Sequence, residues 1–206
     1  MKSPKNNKLQ NYQAVVIGAS AGGMKALQTI LKSLPEDYGL PIMIVQHMHP
    51  ESDEYMTKIL NEECMLIVKQ ADEKESVKPG TVYFAPPNYH LLVEADKTLS
   101  LTINERVCFA RPSIDVLFET AADVYGDKLI GIILTGGNYD GSQGLKRIKE
   151  LSGLAIVQDP KSAEAESMPR EAIAATKVDY ILPLNEIGPF LFKLTQAIPK
   201  AKKDKK

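Results

Sequence analysis

Short apolar runs alternate with amphipathic stretches along almost the whole chain. AVVIG (14–18), LPIMIVQHM (40–48), LIGIILTG (129–136), LAIVQD (154–159) and DYILP (179–183) are largely apolar and rich in Val, Ile and Leu. Runs of this kind predict strands buried on both faces. Residues 22–33, 52–63, 112–125, 142–151, 169–176 and 186–197 instead space their apolar positions for helices. Ser52 and Ser113 stand where N-caps belong, and Pro112 falls in a first turn. The middle of the chain reads differently. MLIVKQ, TVYFAP, HLLVEA and LSLTI lie within 65–103, separated by turn residues such as Lys78-Pro79-Gly80 and Ala95-Asp96-Lys97. That spacing predicts hairpins. The pattern as a whole predicts an α/β fold: a doubly wound, mainly parallel sheet flanked by helices, with a β-hairpin insertion at about 65–103. One domain, 12–198, lies between flexible tails at 1–11 and 199–206.

Composition narrows the classes. The chain has 206 residues, 44% hydrophobic and 25% charged, enough for a full core. A formal net charge of −1 gives no general attraction to nucleic acid or anionic membrane. Cys64 and Cys108 have no metal-like spacing, and a reduced cytoplasmic setting fits them. MKSPKNNKLQ has no apolar signal core, no run is long enough to span a bilayer, and AKKDKK reads as a solvated end.

The candidate chemistry begins at VVIGASAGGMKALQTIL (15–31), where a strand runs into a glycine-rich turn and a helix. A dinucleotide fingerprint would need glycine at Ser20 and an acid closing the second strand, which ends in Gln46-His47-Met48. It fails on both counts. The phosphate-binding GxxxxGK[ST] pattern fails as well. What remains is Gly18-Ala19-Ser20-Ala21-Gly22, a literal G-x-S-x-G. Small neighbours allow a tight strand-to-helix turn that holds out a serine oxygen, and the helix N-terminus favours developing negative charge. Taken alone, the pattern also fits a serine that merely caps the helix.

A serine nucleophile needs a base and a group to orient it. His47 ends the second strand, on the sheet edge where the first loop also lies. His49 could pair with it around zinc, but no third ligand is evident, so no metal is assigned. His90, opening HLLV, reads as a packing or rim histidine. The best acid is Asp140, in the glycine-rich turn after LIGIILTG; a turn or cap role is its bland alternative. Asp159 and Asp179 are weaker rivals. The order Ser, His, Asp differs from the α/β-hydrolase order, and no histidine follows Asp140.

Six blocks, VIGASAGG, IVQHM, VYFAPPNYHLLV, ARPSIDVLF, LTGGNYDG and DPKSAEAESMPREAI, together resemble the catalytic domain of the chemotaxis protein-glutamate methylesterases, the CheB type. The resemblance runs from about Val15 to the last helix. It implies hydrolysis of γ-methyl esters on glutamates of chemoreceptor signalling helices, with deamidation of glutamine as a second activity. It places the nucleophile on Ser20, the base on His47 and the acid on Asp140, the three residues reached above from strand ends. Main-chain N–H groups of Ala21 and Gly137 are the oxyanion candidates. Arg111, Tyr139 and Met168 are candidate substrate contacts, with local pairing for Arg111 and core packing for Met168 as their ordinary alternatives. The implied partners are receptor cytoplasmic helices and a separate regulatory protein, with no nucleic acid, no membrane insertion and no cofactor. The rival reading is a catalytically weak CheB-like module that binds receptors.

Three departures stand out. Ala21 takes a position often held by threonine, and Asn138 replaces a glycine of the usual Thr-Gly-Met-Gly-x-Asp-Gly loop. The first strand also starts near residue 14, so the chain reads as the catalytic domain without a receiver domain.

Overall fold

The computed structural model describes residues 12–49, 51 and 55–196. β1 (Ala14–Ala19), β2 (Ile42–Gln46), β3 (Ile67–Gln70), β4 (Thr81–Phe84), β7 (Leu129–Ile133), β8 (Leu154–Gln158) and β9 (Tyr180–Leu182) form one sheet, ordered β3-β4-β2-β1-β7-β8-β9. Every pairing in it is parallel. β5 (His90–Val93) and β6 (Leu99–Thr102) make a separate antiparallel hairpin.

Side chains alternate across the sheet, and each face finds its own helices. Val15, Ile17, Ile42, Ile44, Ile130 and Ile132 pack with Ala26, Leu27, Ile30 and Leu31 of α1 (Gly23–Lys32). The same layer takes Leu60 of α2 (Tyr55–Glu63) and Ile187 and Leu191 of α6 (Leu184–Gln196). On the other face, Val16, Met43, Val45, Ile133 and Val157 meet α3 (Ile114–Tyr125), α4 (Ser142–Glu150) and α5 (Ser167–Ala175). Burial on both faces is why these strands read as continuous apolar runs.

The insertion is smaller than its turn residues suggest. The hairpin is β5–β6 alone, while β3 and β4 join the parallel sheet. The segment between β3 and β4 lies along the hairpin instead, with Ser76 bridging Thr98 and Leu99 N–H donating to Glu75 O. Turn chemistry marks where a strand stops but does not say which partner it finds next. Ser52 lies outside the described residues.

β1 has β2 on one side and β7 on the other. The chain therefore winds outward in both directions from this pair, and the crevice at the carboxyl ends of β1 and β7 is the switch point where α/β sheets hold ligands.

Candidate active site

Ser20, His47 and Asp140 follow β1, β2 and β7, so three adjacent strands deliver them to one edge. Ser20 N–H donates to Thr135 O at 2.9 Å and His47 N–H to Ala19 O at 3.0 Å, which extends the sheet register one residue into the loops. Ser20 does not cap α1. The N-cap is Gly22, at φ 74, with no side-chain cap bond. The Ser20 hydroxyl makes no hydrogen bond among the described residues, to His47 included, and is half-buried. Contacts between nucleophile and base commonly close only around a substrate.

His47 and Asp140 are already joined, with Nε2 to Oδ2 at 2.8 Å. If Nε2 carries the proton, Nδ1 is the basic nitrogen. The Asp140 side chain is fully buried and accepts three further hydrogen bonds. Ser113 Oγ donates at 2.8 Å, Ile114 N–H at 2.8 Å and Asp115 N–H at 3.0 Å. Asp140 thus does what Ser113 is expected to do: it satisfies the first N–H groups of α3, while the Ser113 hydroxyl donates to it. His90 is buried too. Its Nδ1 accepts from Ser113 N–H at 3.1 Å and its Nε2 lies 3.0 Å from Glu105 O, so it braces the start of α3.

Asp115 returns the contact. Its carboxylate accepts from Gly144 N–H at 2.7 Å, in the first turn of α4. A Cβ on Gly144 would sit 2.5 Å from Phe118 Cβ and 3.1 Å from Asp115 Cα, so only glycine lets the helices approach this closely. Each helix is capped by an acid from the other side of the contact. Burial first, and the neighbouring Asp140 charge after it, push the Asp115 carboxyl up to about 6, against the Gly144 hydrogen bond. Burial likewise pushes the Cys108 thiol up to about 11, so it remains a neutral donor to Asp115 Oδ2 at 3.8 Å.

The raised Asp115 value has a stability consequence. A folded-state value above the unfolded one means the native chain binds the extra proton, so this contribution weakens as pH rises from about 4 through about 6. Above pH 7 the ionised group costs the fold on the order of 3 kcal/mol. Asp115→Asn keeps an acceptor for Gly144, so it is expected to raise the melting temperature by several degrees at pH 8 and by little at pH 4. Paired melts at the two pH values check this; an equal shift at both would refute the electrostatic cause.

Two buried polar residues position the nucleophile loop. Gln46 Nε2 donates to Ser20 O at 2.9 Å and His47 O at 2.8 Å, and Thr135 Oγ1 donates to Ala21 O at 2.8 Å. Main-chain N–H groups of Ala21 and Gly137 are unpaired among the described residues, and both residues are exposed. Neighbouring Gly136 is unavailable, since its N–H donates to Ala165 O. Asn138 needs no left-handed backbone; its Oδ1 accepts from Asp140 N–H at 3.3 Å.

The remaining expectations divide. Met168 is buried and packs beneath Gly136. Arg111 finds no carboxylate among the described residues; its Nη1 donates to Ile103 O at 2.6 Å and Asn104 O at 3.0 Å. It also lines a hollow beside His47. Tyr139 is exposed, next in sequence to Asn138 of that hollow's lining. His49 is exposed, and the one cluster of potential metal ligands among the described residues, Cys108, Asp115 and Asp140, contains no histidine.

A parallel doubly wound sheet with a serine, histidine and acid gathered at its switch point defines an α/β protein with a hydrolase-like site. The comparisons give it a family. The CheB methylesterase family model matches residues 15–191, and the chain belongs to that family. It is 60% identical over 186 residues, 90% of this chain and 96% of the relative, to a putative protein-glutamate methylesterase/protein-glutamine glutaminase of Leptospira interrogans. It is 38% identical over 182 residues to the protein-glutamate methylesterase FrzG of Myxococcus xanthus, covering 88% of this chain and 54% of that one. The crystal structure of the Thermotoga maritima CheB methylesterase catalytic domain superposes with a TM-score of 0.86 at 35% identity, covering 89% of this chain and 98% of that one.

Proposed function

We propose that this protein hydrolyses γ-methyl esters of glutamate on the cytoplasmic helices of chemoreceptors, and deamidates glutamine at such sites, through Ser20, His47 and Asp140. The observation that carries the reading is the His47–Asp140 pair, hydrogen-bonded at 2.8 Å with the carboxylate buried, on the edge where Ser20 follows β1. The family relatives supply the substrate class.

In this mechanism His47 Nδ1 takes the Ser20 proton as Oγ attacks the γ-carbonyl carbon. Asp140 holds the ring and stabilises its charged form. The oxyanion forms against the main-chain N–H groups of Ala21 and Gly137, each worth about 3 kcal/mol in such a role. His47 returns the proton to the departing methoxide, or to the leaving amine of a glutamine. Water, deprotonated by His47, then cleaves the glutamyl-serine ester and restores the hydroxyl.

Incubation with a methyl-esterified receptor signalling fragment is expected to release methanol, and a fragment carrying glutamine at the same sites to release ammonia. Stoichiometric binding of the fragment with no release of either product would refute turnover and leave a binding module.

A further inference from the structure

The loop before α3 carries a side chain that folding does not explain. Val107 and Ala110 exchange main-chain hydrogen bonds at 3.2 and 2.9 Å, closing a two-residue turn. Both central residues are left-handed, Cys108 at φ 51 and Phe109 at φ 63. A turn with two positive φ values is the place for Asn-Gly, and a bulky residue there is strained. Phe109 is also 88% exposed, more than any other large exposed hydrophobic among the described residues. Backbone and burial both argue against phenylalanine here, so its reason lies in what it meets.

Its position indicates what that is. Phe109 lines the hollow of about 300 Å³ that also takes in His47, Met48, Arg106, Arg111 and Asn138. Tyr139, 48% exposed, stands next to Asn138 of that lining and close to Cys108. The loop is braced at its base by Arg111 on two carbonyls and at its tip by Cys108 on Asp115. The ring is thus held out on a fixed support, which lowers the ordering cost of binding. Arg106 is exposed and has no ion-pair partner among the described residues. A γ-methyl ester alone needs neither an exposed aromatic ring nor a free guanidinium. An amphipathic acidic helix offers groups for both: an apolar seam at i, i+3 and i+4, and carboxylates beside it.

We propose that the Val107–Ala110 turn reads the protein substrate, with Phe109 as the specificity-determining residue. It packs into the apolar seam of an acidic helix while Arg106 pairs with a carboxylate flanking the reacting glutamate. This rests on the esterase reading above.

The test compares kcat/KM on a methyl-esterified receptor fragment with kcat/KM on p-nitrophenyl acetate, a small ester that uses the triad without a helix. Phe109→Ala and Arg106→Glu are each expected to lower the ratio of protein to small-ester activity about tenfold, chiefly through KM. Phe109→Trp is expected to restore the ratio. Phe109→Gly relieves the backbone, so it is expected to raise the melting temperature while lowering the ratio, which a merely structural role would not do. If the native protein turns over both substrates and Phe109→Gly leaves the ratio unchanged, this inference is overturned and the esterase reading stands. If the native protein turns over neither, both fall.

Discussion

Ser20→Ala is expected to abolish ester turnover, on the order of a 10⁶-fold loss in kcat, and to leave the melting temperature nearly unchanged. The two halves of this result have separate causes. The chemistry ends because no other residue of the Ala19–Gly23 turn carries a hydroxyl, and a water in its place lacks the fixed position that makes the attack effectively unimolecular. The fold persists because the Ser20 hydroxyl holds nothing together. What Ser20 contributes structurally is main chain, its N–H to Thr135 O and its carbonyl to Gln46, and alanine keeps both. Methanol release and a thermal melt on the same preparation check the pair of expectations. Full activity in the variant would remove Ser20 from the mechanism.

Asp140→Asn is expected to fail in both respects. Activity should fall about 10⁴-fold, because the amide no longer fixes the His47 tautomer or stabilises its charged form. Stability should fall too, and the hydrogen bonds show why. Oδ2 accepts from His47 and Ile114 N–H, and Oδ1 accepts from Ser113 Oγ and Asp115 N–H. Whichever way the amide is turned, its NH₂ faces a main-chain N–H of α3. One donor is left unsatisfied in a buried place, which costs about 2 kcal/mol. For a chain of this size the melting temperature drops by about 4–8 °C. A variant that loses activity with an unchanged melt would show that Asp140 does not carry the start of α3.

The sequence made the layered sheet legible because burial on both faces leaves an unmistakable run of Val, Ile and Leu, as in β1 and β7. It also placed Ser20, His47 and Asp140 at strand ends, since strand ends in this class of fold share one edge. It misread residues 65–84, where β4 inserts between β3 and β2. That pairing is a tertiary choice made against the hairpin, and short apolar strands look alike whichever partner they take. Met168 in SMPREAI allowed both a cleft and a packing role, and α5 turns it beneath Gly136, where it is buried. The positioning side chains were harder still. Gln46 closes an apolar strand and Thr135 follows another, which is a signal of a kind. Their meaning depends on carbonyls at Ser20, His47 and Ala21 that only the folded loops bring near. His90 and Ser113 act across 23 residues through one backbone N–H, a relation no local pattern encodes.

The grip of α3 on Asp140 has an evolutionary side. An acid carried by a loop normally binds its neighbours to one sequence, because the loop alone must aim it. Here three donors from Ser113, Ile114 and Asp115, at the start of α3, aim it. Residues 137–139 are thereby released from that duty, and a change such as Asn138 for glycine leaves the acid in place. A lineage built this way can diversify the rim of its cleft, and the range of proteins it serves, without rebuilding its chemistry.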